Sequence, residues 1–165
     1  MAEYSLSSTW YAEANARQLQ DVSNYIRNVA RSRGVQKEFV LWTAPKDRAV
    51  RGKSRSKNLI KPVGYTGYRD VNGVKQGCWI AATTRATNDY YDKTLMVHCF
   101  NRRPIVSVSS YLQDYGCPVD LKVFATSEML QWFWRGCIRD NKPMTIAIGS
   151  KRMYGFFMDW LNGDD

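Results

Sequence analysis

The sequence contains a single histidine, His98, and this scarcity excludes several catalytic designs. Mechanisms that need two imidazoles cannot be built, and neither the H-E-x-x-H zinc helix nor the H-x-E plus P-C-x-x-C deaminase pattern is present. P-loop and G-x-G-x-x-G motifs are also missing, so neither kind of phosphate-cradling loop is expected. His98 lies in the apolar run LMVHCF, which predicts a hydrogen-bonded histidine of the core.

Cysteines are few and widely spaced, with no C-x-x-C pair among Cys78, Cys99, Cys117 and Cys137. This spacing argues against a zinc motif or a disulfide framework, so we expect reduced, mostly buried thiols and neither a metal nor a cofactor. Reduced thiols favour a cytoplasmic location. No apolar run approaches the roughly 18 residues of a membrane span, and the polar first 33 residues are unlike a signal peptide.

Acidic residues are scarce relative to basic ones: 15 Asp and Glu face 24 Lys and Arg, giving a formal net charge of +9. Such an excess favours a polyanionic partner, most often nucleic acid. Residues 46–61, KDRAVRGKSRSKNLIK, contain seven cations and the single acid Asp47, which is a net +6. Glycine and serine interrupt any periodicity there, so we predict a mobile loop and name residues 46–61 the basic arm.

The order of elements predicts a single α+β domain over residues 1–165. Its sheet is expected to be twisted and mostly antiparallel, packed by a long N-terminal helix and two aromatic C-terminal helices. Apolar spacing over residues 9–33 predicts one amphipathic helix with Leu19, Val22 and Ile26 towards the core. The pair Asn72-Gly73 is typical of a type I′ hairpin turn. The other predicted strands are 38–43, 93–100, 104–111, 119–124 and 143–148, and the last helices are 127–140 and 151–161.

The basic arm followed by tyrosines predicts a nucleic-acid-binding site. Cations displace the counterions of phosphates, and flat rings stack on single-stranded bases, so single-stranded DNA or RNA is favoured over duplex. The predicted protein binds without catalysis, through Lys46, Arg48, Arg51, Lys53, Arg55, Lys57, Lys61, Tyr65, Tyr68 and Arg69. Arg17, Arg27 and Arg31 on the N-terminal helix, together with Arg102 and Arg103, could extend this surface. The alternative is that the charges only solubilise the chain and that the tyrosines fill a sheet face.

A second hypothesis is a small magnesium-dependent nuclease or nucleotide-acting enzyme. In VDLKVF, Asp120 and Lys122 flank Leu121 on a predicted strand, and this pattern resembles the second half-motif of the PD-(D/E)xK nucleases. The resemblance implies that Asp120 binds Mg²⁺ and that Lys122 positions the attacking water. The preceding predicted strand lacks the family's second acid, so Asp89, Asp92 or Asp114 would have to replace it.

A third hypothesis is a basic interaction protein that docks on an acidic protein or a phosphorylated ligand. The C-terminal helices are apolar nearly all round, as in Met129-Leu130 followed by Trp132, Phe133 and Trp134. Such helices are either buried on several sides or covered by a partner, including a second copy of the chain.

Overall fold

The structure, a computed structural model, describes residues 5–49, 58–66, 68–71, 74–84 and 89–163, with the backbone alone for 68–71 and 74–76. Its helices are α1 (Ser8–Glu13), α2 (Ala16–Ser32), α3 (Lys46–Ala49), α4 (Val106–Asp114), α5 (Leu121–Phe133) and α6 (Lys151–Asn162). Its strands are β1 (Val40–Thr43), β2 (Tyr68–Val71), β3 (Val74–Gly77), β4 (Leu95–His98) and β5 (Thr145–Ile148). Short 3₁₀ helices cover Lys37–Phe39 and Cys137–Asp140.

The main sheet is parallel, so the prediction of a mostly antiparallel sheet is wrong. Its strand order is β1-β4-β5, with Trp42 beside Val97 and Val97 beside Ala147. Trp79 forms a parallel bridge to Trp42, which places residue 79 on the outer side of β1. Helices lie between consecutive strands of this sheet, and a crossover of that kind returns the chain in the same direction.

Two segments predicted as strands are helical, and they account for the error in the sheet. In the predicted strand 104–111, valine and serine alternate at positions 106–109, yet 106–114 form α4, whose valines stay exposed on the surface. Residues 119–124 enter α5 because the carboxylate of Asp120 caps that helix. The hairpin predicted around Asn72-Gly73 is present outside the main sheet. Its strands β2 and β3 pair antiparallel with Val71 opposite Val74, and the two turn residues lie outside the described part.

The predicted N-terminal helix is two helices, and the break has a local cause. The side chain of Asn15 accepts a hydrogen bond from the backbone N–H of Gln18, while the side chain of Gln18 accepts one from the backbone N–H of Asn15. This reciprocal capping box starts α2 afresh after Ala14. The core-facing residues of α2 were predicted correctly, since Leu19, Val22 and Ile26 are buried.

The sheet separates two apolar clusters. On one face, alternate strand residues such as Trp42 and Val97 pack with α1 and α2. On the other face, Leu41 and Met96 pack with α5 and α6 through residues such as Trp132. The second cluster bears out the expectation that the C-terminal helices complete the core. Among the described residues, no helix combines the length and apolar composition that crossing a membrane requires.

Candidate anion-binding edge of the sheet

The carboxyl ends of all three parallel strands lead into basic segments at one edge of the sheet. We call this the carboxyl edge and define it by residues 44–49 after β1, 99–104 after β4 and 149–154 after β5. These segments hold six cations against Asp47 alone, a net +5. The cations are Lys46, Arg48, Arg102, Arg103, Lys151 and Arg152. In open sheets of parallel strands, ligands bind outside the carboxyl ends.

Arg152 is held in place where the segments after β4 and β5 meet. Its Nη1 atom donates to the side-chain oxygen of Asn101 at 2.8 Å and to the backbone oxygen of Arg102 at 3.0 Å. Its guanidinium lies 4.6 Å from the ring centre of Phe156. Arg102 in turn donates to the carboxylate of Glu128 at 2.8 Å. The arginines are therefore oriented by their own neighbours before any ligand arrives.

Both described ends of the basic arm are fastened to the N-terminal helices. The Nη2 atom of Arg48 donates to the backbone oxygen of Ala12 at 2.8 Å, and the N–H of Ile60 donates to the backbone oxygen of Arg48 at 2.8 Å. The N–H of Lys61 donates to the hydroxyl of Ser23 on α2 at 2.9 Å. Because Arg27 lies one helical turn from Ser23, it is brought near the end of the arm.

The other predicted members of the binding site are placed less favourably or lie outside the described residues. Tyr65 is half-buried and packs against the core, and its backbone oxygen accepts from the indole N–H of Trp42 at 3.0 Å. Tyr68 and Arg69 belong to β2, opposite Gly77 and Gln76. The predicted arm cations that fall outside the described part are Arg51, Lys53, Arg55 and Lys57.

Asp120 and Lys122 do not stand on a strand, so the predicted setting of the nuclease motif is wrong. The carboxylate of Asp120 accepts from the backbone N–H groups of Lys122 and Val123 at 2.7 and 3.0 Å, which is an N-cap. The ammonium of Lys122 lies 3.3 Å from the carboxylate of Asp159 on α6. Within the described ranges, no three His, Cys, Asp or Glu side chains are grouped to hold a metal ion.

His98 is a core residue, as predicted, but it is not hydrogen-bonded within the described part of the chain. It is fully buried, with its ring centre 5.5 Å from that of Trp132, and neither ring nitrogen has a partner there. Burial, and to a smaller extent the charge of Arg102, lowers the pKa of His98 from 6.5 to about 3. The imidazole therefore stays neutral at physiological pH.

Sequence reasoning missed two hollows that share one wall, the side chain of Trp10. The first, which we call the apolar pocket, has a volume of about 280 Å³ and is lined by residues including Leu6, Val22, Tyr25, Cys99 and Gly149. The second, which we call the basic groove, measures about 640 Å³ and contains Arg102 and Arg103. Only the topology brings residues 5–10 beside residues 99–106, so no local sequence pattern predicts these hollows.

Comparison with known proteins places residues 1–161 within the family model described as the YonV C-terminal Rossmann-like domain. The chain is 30% identical over 161 residues to the SPbeta prophage-derived uncharacterized protein YonV of Bacillus subtilis (strain 168). That match covers 96% of this chain but 34% of the relative, so the chain spans about a third of the relative's length. No solved structure matches it.

Proposed function

The chain belongs to the family of YonV C-terminal Rossmann-like domains, and from that premise we propose that it binds nucleic acid through the carboxyl edge and the basic arm. The observation that carries the proposal is the convergence of six cations and one acid at the edge where folds of this kind receive ligands. A surface with that charge attracts phosphates by releasing their counterions.

The anchoring of the arm supports this assignment. At one described end of the arm, Arg48 contacts α1. At the other end, Lys61 contacts α2 at Ser23, one helical turn from Arg27. Single-stranded DNA or RNA remains the favoured partner. The basis for that preference changes, however, because Tyr65 packs against the core, whereas Tyr111 and Tyr115 on and after α4 are more than half exposed, with ring centres 4.7 Å apart and planes tilted by 41°.

The proposed location is the reducing cytoplasm. All four thiols are free, and Cys78, Cys99 and Cys137 are buried, as expected for reduced structural cysteines.

Three triple variants with the same change in net charge test the proposal. The edge variant carries Lys46→Glu, Arg103→Glu and Lys151→Glu, and the arm variant carries Arg51→Glu, Lys53→Glu and Arg55→Glu. The control reverses Lys37, Arg139 and Lys142, which lie before the strands. For wild type on single-stranded DNA, about six phosphate contacts, three at the edge and three on the arm, give a slope of log K against log[salt] near −4. The edge and arm variants should each flatten that slope by about two units.

The matched control separates location from overall charge. If the control variant weakens binding as much as the other two, the effect is one of net charge and no surface is assigned. Wild-type binding that is independent of salt would contradict the proposal altogether.

A second candidate is docking onto an acidic protein, and α4 is the observation that favours it. No residue of this helix is buried, and Val106, Val108 and Tyr111 each expose half or more of their surface. An apolar surface beside a basic edge suits an acidic protein partner or a second copy of the chain. Association that survives nuclease treatment and depends on Val106→Ser and Val108→Ser would support this candidate over nucleic acid.

A further inference from the structure

The apolar pocket has the size and character of a site for a small flat ring. Its volume of about 280 Å³ lies just below the roughly 300–1,000 Å³ typical of ligand pockets, so it suits one ring system rather than a whole cofactor. Aromatic walls are provided by Trp10 and Tyr25. Trp10 contacts Tyr11 edge to face at 4.9 Å, and the hydroxyl of Tyr11 donates to the backbone oxygen of Cys99 at 2.6 Å. The ring of Trp10 is therefore held in position before any ligand binds.

The interior of the pocket is uncharged. Burial raises the pKa of the Cys99 thiol to about 12, and burial followed by the nearby Cys99 raises that of Tyr25 to about 12. Both groups remain protonated at neutral pH, so the floor and side of the pocket favour an uncharged aromatic ring over a phosphate.

A donor and an acceptor stand at the rim, one helical turn apart on α2. In the capping box the amide oxygen of Gln18 accepts a hydrogen bond from the backbone N–H of Asn15. This bond fixes the side chain and does not use its NH₂ group. Asp21 supplies a carboxylate acceptor beside it. Every nucleobase presents neighbouring N–H donors and oxygen or nitrogen acceptors on its pairing edge, and proteins read single-stranded bases through that edge.

The pocket is also where the backbone is strained. Leu6 has a φ of 63° although it is not a glycine, and its side chain is buried. Hydrogen bonds from Asn101 hold this conformation: its N–H donates to the backbone oxygen of Leu6 at 2.9 Å, and its Nδ2 donates to that of Ser5 at 3.3 Å. Residues kept in this region of φ are concentrated at ligand sites.

Trp10 also lines the basic groove, which offers the opposite chemistry. Arg102 and Arg103 line it together with the hydroxyls of Ser8 and Thr9, against the single acid Glu13. Arginine matches phosphate oxygens with a planar pair of donors. The apolar pocket and the cations of the groove thus share Trp10 as a lining residue.

We propose that the apolar pocket takes a nucleobase and that the basic groove takes the sugar phosphate joined to it. The inference rests on the proposed function, since the base would belong to a bound nucleic acid strand, and it adds a site at which one base is held. A free nucleotide has the same chemistry, and the two sources are separated by experiment.

Titration calorimetry with matched probes tests the proposal. Nucleoside 5′-monophosphates are compared with ribose 5-phosphate, and a short oligothymidylate with an abasic oligomer of equal length. Stacking of one base is worth roughly five- to a hundredfold in affinity, so the base-bearing member of each pair should bind at least about fivefold more tightly.

Two substitutions locate the base. At Gly149, an added Cβ would lie 3.0 Å from Leu6 and 3.6 Å from the Cys99 sulfur, so Gly149→Leu fills the pocket. The matched control is Gly155→Leu on α6, where an added Cβ meets nothing within 4 Å. Gln18→Glu keeps the capping-box acceptor but removes the NH₂ donor. Gly149→Leu and Gln18→Glu should each lower the preference for base-bearing over abasic probes about tenfold, and the charge added by Gln18→Glu acts on both kinds of probe alike.

The outcomes separate this inference from the proposed function. If both oligomers bind equally and only the arm variant weakens them, the pocket assignment is overturned and nucleic-acid binding stands. If monophosphates bind but oligomers do not, the pocket is supported and the proposed function falls. If no probe binds wild type, both are overturned. Should Gly149→Leu fail to fold, Gln18→Glu decides, because it does not touch the pocket floor.

Discussion

The two edges of the parallel sheet carry similar numbers of charges but use them differently. The six-residue segments before the strands, 34–39, 89–94 and 139–144, hold four cations and four acids, whereas the carboxyl edge holds six cations and one acid. We call the three segments before the strands the amino edge. There Lys93 pairs with Asp92 at 3.5 Å and Lys142 with Asp140 at 3.6 Å. The lesson is that cations and acids balance in the segments before the strands, whereas the carboxyl edge keeps an excess of cations even though Arg102 pairs with Glu128 and Arg48 with Asp47.

The largest expected effect is at the amino edge and concerns stability alone. Lys93 is 2% exposed, and its ammonium donates to the backbone oxygen of Glu38 as well as pairing with Asp92. Lys93→Met leaves both partners without their cation, so we expect a loss of about 3 kcal/mol in the free energy of unfolding. Urea denaturation measures it.

The matched control for that prediction is Lys142→Met, which removes an exposed member of the same edge. Its ion pair with Asp140 should be worth less than about 0.5 kcal/mol. Equal losses for the two lysines would show that burial does not distinguish them. A change in nucleic-acid affinity in Lys93→Met would break the division between the edges.

The next effect is acid destabilisation from His98, at the carboxyl end of β4. Its pKa is about 3 in the folded protein and about 6.5 when unfolded, so the unfolded state binds the proton first. Stability is therefore retained above pH 6.5 and falls as the pH drops towards 3, by about 2 kcal/mol between pH 7 and pH 5. Denaturation at the two pH values, with His98→Met as the control, checks this. A fall of the same size in His98→Met would assign the loss to other groups.

A smaller loss is expected from Arg152→Met at the carboxyl edge. The substitution removes the hydrogen bonds of a half-buried cation to Asn101 and to the backbone oxygens of Arg102 and Leu121, and should cost about 1.5 kcal/mol. It should also weaken binding of the base-bearing oligomer, because Asn101 holds Leu6 at the pocket. Thermal unfolding and calorimetry give the two readouts. A loss of stability with unchanged affinity would make Arg152 structural only.

The smallest effect tests the role of Asp120. Asp120→Ala removes the N-cap of α5 and should cost about 1 kcal/mol, whereas Asp120→Asn keeps a capping oxygen and should cost only a few tenths. Thermal unfolding with and without Mg²⁺ measures both variants. Nucleic-acid cleavage that requires Mg²⁺ and disappears in Asp120→Asn would contradict a purely capping role and restore the nuclease hypothesis.

The sequence predicts elements whose local signals agree with their surroundings. The buried face of α2, the hairpin around Asn72-Gly73 and α6 all follow from periodicity or turn chemistry. The direction of the sheet was less accessible, although a signal existed: LMVH is apolar at almost every position, which is typical of a parallel strand covered on both faces. The alternation of valine and serine around Val106 favoured an antiparallel strand instead, because exposed valines on a helix give the same pattern as a strand with one face in solvent.

The basic residues of the site were readable from composition, but their convergence was not. Arg102 and Lys151 are separated by nearly fifty positions and meet at one edge because β4 and β5 are parallel neighbours. The left-handed backbone of Leu6 has no sequence signal at all, since leucine rarely adopts it.

Asn101 holds the backbone of residues 5 and 6, and this contact determines where a probe attached ahead of Ser5 will lie. A fluorophore or affinity tag joined ahead of Ser5 enters the domain directly beside Trp10 and the two hollows. By contrast, α6 starts at the carboxyl edge and travels about 18 Å over its 12 residues towards the opposite edge. Under the proposed function, a dye near Asn162 reports on tumbling without touching a bound strand, whereas one near Ser5 competes with that strand for the same space. Comparing a protein labelled near Ser5 with one labelled near Asn162 therefore tests at which edge of the sheet a strand binds.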